Sequence, residues 1–324
     1  MKSTGFIVRF FRFQYPWAPR PLCQVTFNFR NLPLPMNTIT DITQQAVERL
    51  MLDMVMVATK PEDQAIPATI KAAQYHLEAG GQRVRAKLAL HACQCLGIKI
   101  EDAVRIAAAV ELLHNASLVH DDLQDDEKLR RGMPTVWAAF GKDVAICTGD
   151  ILLSAAYGAL SEVSNPKLIP SLLRRVHVRT AMVIQGQCSE LSAKDCAVTD
   201  LSQYESIVIG KSGALLSLPI ELAFIAAGHE TWTKRIQDAA HTFGVGYQMV
   251  DDLEDIKTDT EKHNLNIVLV LKASGEGQQA TKLARKFAQQ YLDRAISLAE
   301  SLPEDSGSLL AEFALVLGRR LKTD

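Results

Sequence analysis

The chain is predicted to be all-α, a single large helical bundle. Proline is nearly absent after Pro67, with none in residues 68–133, 171–218 and 220–302, as long helices require. Apolar residues recur at helical spacing, and no strand alternation bounded by turn signals is present beyond residue 36. The 324 residues, 48% of them hydrophobic, supply ample apolar material for one core.

Residues 1–35 are different material. They carry Lys2, Arg9, Arg12, Arg20 and Arg30 with no acid, five of the twelve prolines and six of the eleven phenylalanines. This leader reads as loosely attached, with Met36 the natural start of the helical part; organellar import is the other reading. Residues 103–119 are apolar almost all round, as expected of a buried central helix. Segments 142–160, 171–189, 201–227 and 277–299 show apolar stripes or small-residue faces. Breaks are expected at Gly80-Gly81, Gly97, Gly132-Met133-Pro134, Ser164-Asn165-Pro166 and Leu302-Pro303. Pro219 is expected to kink one helix. No short repeat or linker interrupts residues 36–324, which read as one domain.

Composition excludes several classes. Thirty-five basic against 37 acidic residues leave no strongly basic face for nucleic acid. The six cysteines are scattered and lack zinc spacing, so reduced thiols in a cytosol-like compartment are expected. No run of about 18 uncharged apolar residues is present, and no transmembrane segment is expected.

The informative feature is Asp121-Asp122-Leu-Gln-Asp125-Asp126, which follows the central apolar run, and Asp251-Asp252-Leu-Glu254-Asp255, which follows GVGYQMV. Both read D-D-x-x-D. Residues i and i+4 share a helical face, so Asp121 stands with Asp125 and Asp251 with Asp255. Stacked like charges at the end of a core helix are costly unless a cation relieves them. Mg²⁺ takes one or two carboxylates per ion and completes its shell with water and phosphate oxygens. Two such clusters facing each other would make a multi-metal mouth for a diphosphate.

A diphosphate also needs basic residues. Arg130-Arg131-Gly132 follows the first cluster, about two and a half turns from Asp121. Arg83-Val-Arg85 follows the Gly80-Gly81 break at a helix start, where backbone N–H groups favour anions. Lys211, in Gly-Lys-Ser-Gly with Ser212 beside it, lies among apolar residues. It is no P-loop, since that frame needs glycine where Glu205 stands.

GGQRVRAKL, ELLHNASLVHDDLQDDEKLRRGMPT, TGDILL, GQCSEL, YESIVIGKSGAL and FGVGYQMVDDLEDI together resemble the trans-isoprenyl diphosphate synthase (polyprenyl synthetase) family in order and spacing. The resemblance implies an isoprenoid-synthase fold around a central cavity, usually a homodimer, and head-to-tail elongation of an allylic diphosphate by isopentenyl diphosphate. It implies Mg²⁺, three ions per active site, held by Asp121, Asp122, Asp125, Asp251, Asp252 and Asp255. Arg130, Lys211, Ser212 and Gln248 would serve the allylic diphosphate, and Arg85, His114 and Arg131 isopentenyl diphosphate. The departing diphosphate would take the final proton. Gln82 stands where the family has a lysine, Ala86 replaces a proline, and KTDTEKHNLNIVLVLK replaces the usual glycine- and lysine-containing stretch, leaving Lys257 near the cluster.

Ala116 and Ser117 lie five and four residues before Asp121, about 6 to 7.5 Å deeper along the axis. In the family a bulky aromatic there blocks the growing chain. Both residues are small here, so a product of C20 or longer is expected, with Leu113 and Leu112 the next barrier. Three other readings stand beside this one. Glu111-Leu-Leu-His114 could belong to a di-iron bundle, although no second Glu-x-x-His is present. A non-catalytic subunit of a heteromeric synthase, or a related enzyme doing cyclisation or irregular coupling, would both tolerate the departures at the isopentenyl site.

Overall fold

The computed structural model describes residues 36–57, 65–193, 198–262 and 264–323. The basic leader, Cys23, Cys196 and His263 lie outside them. The chain divides into two compact units: residues up to Gly81 with Asn115–Ala155, and Gln82–His114 with Ala156–Asp324. Two of the three boundaries, His114–Asn115 and Ala155–Ala156, fall inside long helices, and the third, Gly81–Gln82, falls between two helices.

The first unit contains α1 (Met36–Met56), α2 (Ala68–Glu78), the C-terminal part of α4 (Ile100–Gln124), α5 (Val136–Phe140) and the start of α6 (Lys142–Ser161). Between α4 and α5, at the expected Gly132-Met133-Pro134 break, the chain makes a small two-stranded hairpin, β1 (Leu129–Arg130) and β2 (Met133–Pro134), too short to show alternation in the sequence. Arg131 and Gly132 both adopt positive φ, 54° and 78°, the backbone pattern that lets a two-residue turn follow strand twist. The hairpin is tied down on α2, where the Tyr75 hydroxyl donates to the Pro134 carbonyl at 2.8 Å.

The second unit contains α3 (Val84–Cys95), the N-terminal part of α4, α7 (Ile169–Ala193), α8 (Leu201–Val208), α9 (Ala214–Ala226), α10 (Thr233–Glu254), α11 (Ile256–Lys262), α12 (Ile267–Leu271), α13 (Ala280–Glu300) and α14 (Ser308–Thr323). Its core rod is α9, in which every residue from Ala214 to Ile225 is buried. Pro219 lies inside α9, and the helix continues through it. A turn of π-helix, Ile209–Gly213, joins α8 to α9. The buried carboxylate of Glu221 is paired with Arg175 and with Arg179, the latter at 2.8 Å, as a charge withdrawn from water requires.

The expected breaks at Gly80-Gly81, Gly97, Ser164–Pro166 and Leu302-Pro303 all fall between helices. Among the described residues, two helical stretches, Lys142–Ser161 and Leu201–Ala226, are long and apolar enough by length and composition to cross a membrane. The second is a core element, 72% of its apolar window being buried.

Candidate functional site

In the first unit, α4 carries the first acidic cluster out of the core at its C-terminal end. Asp121 is in the last turn, and the Asp125 N–H bonds the Asp121 carbonyl at 2.9 Å, so the two side chains share a face as expected. Carboxylates at a helix C-terminus meet the negative end of the macrodipole as well as each other. Asp121 and Asp125 are half-buried, whereas Asp122 is 1% exposed. Arg130 reaches back from β1 and clasps both Asp122 oxygens, with Nε at 2.8 and 3.0 Å and Nη2 at 2.6 Å. Burial nonetheless raises the Asp122 pKa above the ordinary carboxylate value, against the pull of Arg130. Trp137 Nε1 donates to the Asp122 carbonyl at 2.8 Å and fastens this turn to α5.

Arg131 points elsewhere. Its guanidinium donates to the Gly80 carbonyl and lies over Gly81, where a Cβ would meet Nη2 at 2.7 Å. Gly81 also has φ of +144°, so the backbone requires glycine there. Arg131 is thereby brought to the Gly80-Gly81 break. Deeper on α4, Ala116 is 4% exposed and Ser117 half-buried.

The second unit repeats the motif with different supports. The Asp255 N–H bonds the Asp251 carbonyl at 3.0 Å at the end of α10. Asp252, 1% exposed, accepts from Tyr204 Oη at 2.8 Å, Gln248 Nε2 at 2.8 Å and the Ile267 N–H at 2.7 Å. Gln248, expected near the allylic diphosphate, is thus engaged by Asp252 one turn ahead. Asn266 donates to the Asp252 carbonyl at 2.7 Å and to Asp259 at 2.8 Å, and caps α12 by accepting from the Val268 N–H. The divergent stretch after the cluster is therefore a short pair of helices clamped to Asp252.

Electrostatics sets this cluster apart. Burial pushes Asp251 up to about 6 against a hydrogen bond from Tyr247, with Glu254 and Asp255 adding repulsion. Burial pushes Asp252 up to about 7 despite its donors. Asp255 and Lys257 are exposed. Arg320, from α14, pairs with Glu254 at 2.6 Å.

Lys211 and Ser212 lie half-buried in the π-turn, and the Lys211 ammonium is paired with Glu190 of α7. Glu190 and Gln187 were not among the residues expected from sequence. Gln187 is 6% exposed, and neither polar atom of its amide has a hydrogen-bond partner among the described residues. GQCSEL carried the signal, four residues apart on one face as Gly186 and Glu190 are.

On α3, Arg83 is buried in a left-handed conformation and pairs with Glu111 at 3.7 Å. Glu111 also accepts from the Ala86 N–H at 3.1 Å, which holds α3 to α4. Arg85 is half-buried, its charge disfavoured by burial and supported by Glu111 and Tyr247. His114 is half-buried, Leu113 buried and Gln82 exposed.

Among the described residues no three Asp, Glu, His or Cys side chains are gathered into a ready-made metal cage. The donor chemistry nevertheless fits Mg²⁺: the candidate ligands are all carboxylate oxygens, offered in pairs crowded one turn apart, and in the second cluster burial, with like charge adding to it, already favours protonation. A hard divalent cation would relieve that crowding.

Residues 67–268 match a family described as polyprenyl synthetase. Geranylgeranyl pyrophosphate synthase 11, chloroplastic, of Arabidopsis thaliana is 34% identical over 259 residues, covering 76% of this chain and 70% of that protein. A short chain isoprenyl diphosphate synthase of Methanothermobacter thermautotrophicus is 30% identical over 255 residues, covering 78% of each. Among solved structures, a geranylgeranyl pyrophosphate synthetase from the archaeon Geoglobus acetivorans aligns with a TM-score of 0.75 at 26% identity, covering 87% of this chain and 99% of that one.

Proposed function

The chain belongs to the polyprenyl synthetase family and is a trans-prenyltransferase, and from that premise we propose that it elongates an allylic diphosphate with isopentenyl diphosphate, head to tail, to a product of C20 or longer. The observation that carries the reading is the repeated D-D-x-x-D turn, built twice at helix C-termini where unbalanced negative charge is least favourable. Bound Mg²⁺ supplies the charge neutralisation that lets a diphosphate leave an allylic carbon.

The six aspartates form the metal set with a division of labour. Asp121 and Asp125, and Asp251 and Asp255, present their carboxylates as ligands. Asp122 and Asp252 are held by protein donors and fix the turn from which the others project. Lys211, Ser212, Arg130 and Gln248 serve the leaving diphosphate. Arg131, Arg85 and His114 hold isopentenyl diphosphate, with Lys257 at the rim. Gln82 replaces a cation there, a change worth about 1–3 kcal/mol for a charged hydrogen bond.

Chain length follows from α4. With Ala116 and Ser117 small, α4 places no aromatic at that level, and Leu113 is its next barrier; the C20 names of the relatives support this reading. The homodimer is proposed on the family resemblance. The chloroplastic name of the Arabidopsis relative supports an import role for the basic residues 1–35. The test is to incubate the purified chain with Mg²⁺, isopentenyl diphosphate and C5, C10 or C15 allylic diphosphates separately and size the products. Elongated diphosphates support the proposal; cyclised hydrocarbons or no turnover reject it.

A further inference from the structure

Lys211 does not sit on an ordinary helix. It is the middle residue of the π-turn Ile209–Gly213, where one extra residue widens the coil between α8 and α9. Glycines line the contacts that grip this turn. From α7, Gly186 lies so close that a Cβ there would stand 2.5 Å from both the Gly210 carbonyl carbon and the Lys211 nitrogen. From α10, a Cβ on Gly244 would stand 3.4 Å from the Gly213 Cα. The obstructing atoms at Gly186 are backbone, which cannot swing aside as a side-chain tip can. One turn beyond Gly186 on the same face of α7, Glu190 receives the Lys211 ammonium.

We infer that Gly186 is a positioning residue for Lys211: its missing side chain lets the α7 backbone touch the π-turn, and that contact sets the point from which the ammonium reaches. Glu190 then fixes the ammonium's direction. The inference rests on the proposed role of Lys211 at the allylic diphosphate. A methyl group at 186 forces the turn away from α7 by roughly 1 Å, the shortfall between 2.5 Å and an ordinary contact of 3.4 Å. A misplacement of that size costs on the order of 100-fold when it moves a charge away from a developing anion.

The experiment is a double-mutant cycle on the full chain with Gly186→Ala, Lys211→Ala and the double variant. The readouts are kcat, the KM for each diphosphate, and thermal stability. Gly186→Ala should lower kcat/KM for the allylic diphosphate about 100-fold and leave the isopentenyl diphosphate KM unchanged. In the Lys211→Ala background the same change should alter kcat/KM by less than about twofold. A merely structural glycine would instead reduce the active fraction, leave both KM values alone and add its full effect in either background. Additive losses, or equal changes in both KM values, overturn the inference. Should Gly186→Ala not fold, Gly210→Ala takes its place. Its Cβ would stand 3.1 Å from the Gly186 Cα, a milder crowding that should give the same non-additive pattern at about tenfold. A wild-type chain that elongates no allylic diphosphate removes the functional reading and this inference together. Turnover with an additive cycle removes the inference alone.

Discussion

The phenol of Tyr247 donates a hydrogen bond to the carboxylate of Asp251 one turn ahead on α10, while the Arg85 guanidinium of α3 acts on the same phenol. One hydroxyl thus joins the first aspartate of the second cluster to a residue assigned to isopentenyl diphosphate. That hydrogen bond holds the Asp251 pKa down, and burial nonetheless carries it to about 6. Tyr247→Phe should therefore raise it further, by about one unit for a lost bond to a charged group. The acid limb of Mg²⁺-dependent turnover should move to higher pH by the same amount. An acid limb that stays in place in this variant contradicts the assignment.

Stability without metal should depend on pH through the same cluster. Asp251 and Asp252 have pKa values raised to about 6 and about 7, above the unfolded carboxylate value. Between the unfolded and folded values the folded chain binds more protons than the unfolded chain, so these two groups lower stability as pH rises across that window. Asp252→Asn removes one of them and keeps an oxygen to accept from Tyr204 and Ile267. The melting temperature of metal-free Asp252→Asn minus that of the wild type should grow from pH 5 to pH 8. A difference that is flat or shrinks with pH refutes the sign.

The two kinds of aspartate should separate in mutagenesis. Arg130→Ala leaves the buried Asp122 carboxylate without its fork and should destabilise the fold by about 3 kcal/mol, the usual cost of breaking a buried pair. Asp121→Ala should cost roughly three orders of magnitude in turnover with little change in melting temperature, since removing one of two crowded carboxylates relieves like-charge repulsion on that face of the helix. Chemical denaturation and steady-state kinetics measured together decide this. Loss of stability in Asp121→Ala, or full stability in Arg130→Ala, reverses the division of labour.

Ala116→Phe should shorten the product by one or more five-carbon units, because a ring placed about 7.5 Å below Asp121 fills the level at which the growing chain passes. Radiolabelled products sized by chromatography measure it. An unchanged length distribution means that another wall limits the chain.

Much of this was legible in the sequence, for a reason that differs by element. The helices declared themselves through proline-free apolar runs, and the two acidic turns through i, i+4 spacing. What spacing could not reveal was which aspartate of each pair turns inward. That choice depends on Arg130 returning through a hairpin whose strands are two residues each, and on Asn266 and Ile267 folding back from the divergent stretch. The Lys211–Glu190 pair was hidden for a similar reason, since 21 residues separate partners brought together by the Gly186 contact. The contact between Tyr247 and Asp251 obeys the same i, i+4 rule as the aspartates and could have been read directly.

The central claim is that both aspartate turns serve one diphosphate. It is tested most directly by a crystal of the chain grown with Mn²⁺ in place of Mg²⁺ and a non-hydrolysable allylic diphosphate analogue, with the ions located by anomalous scattering. The account predicts ions bound to Asp121 and Asp125, and to Asp251 or Asp255, all touching oxygens of the same diphosphate. Ions on one turn alone, or a diphosphate bound by only one of them, would contradict it.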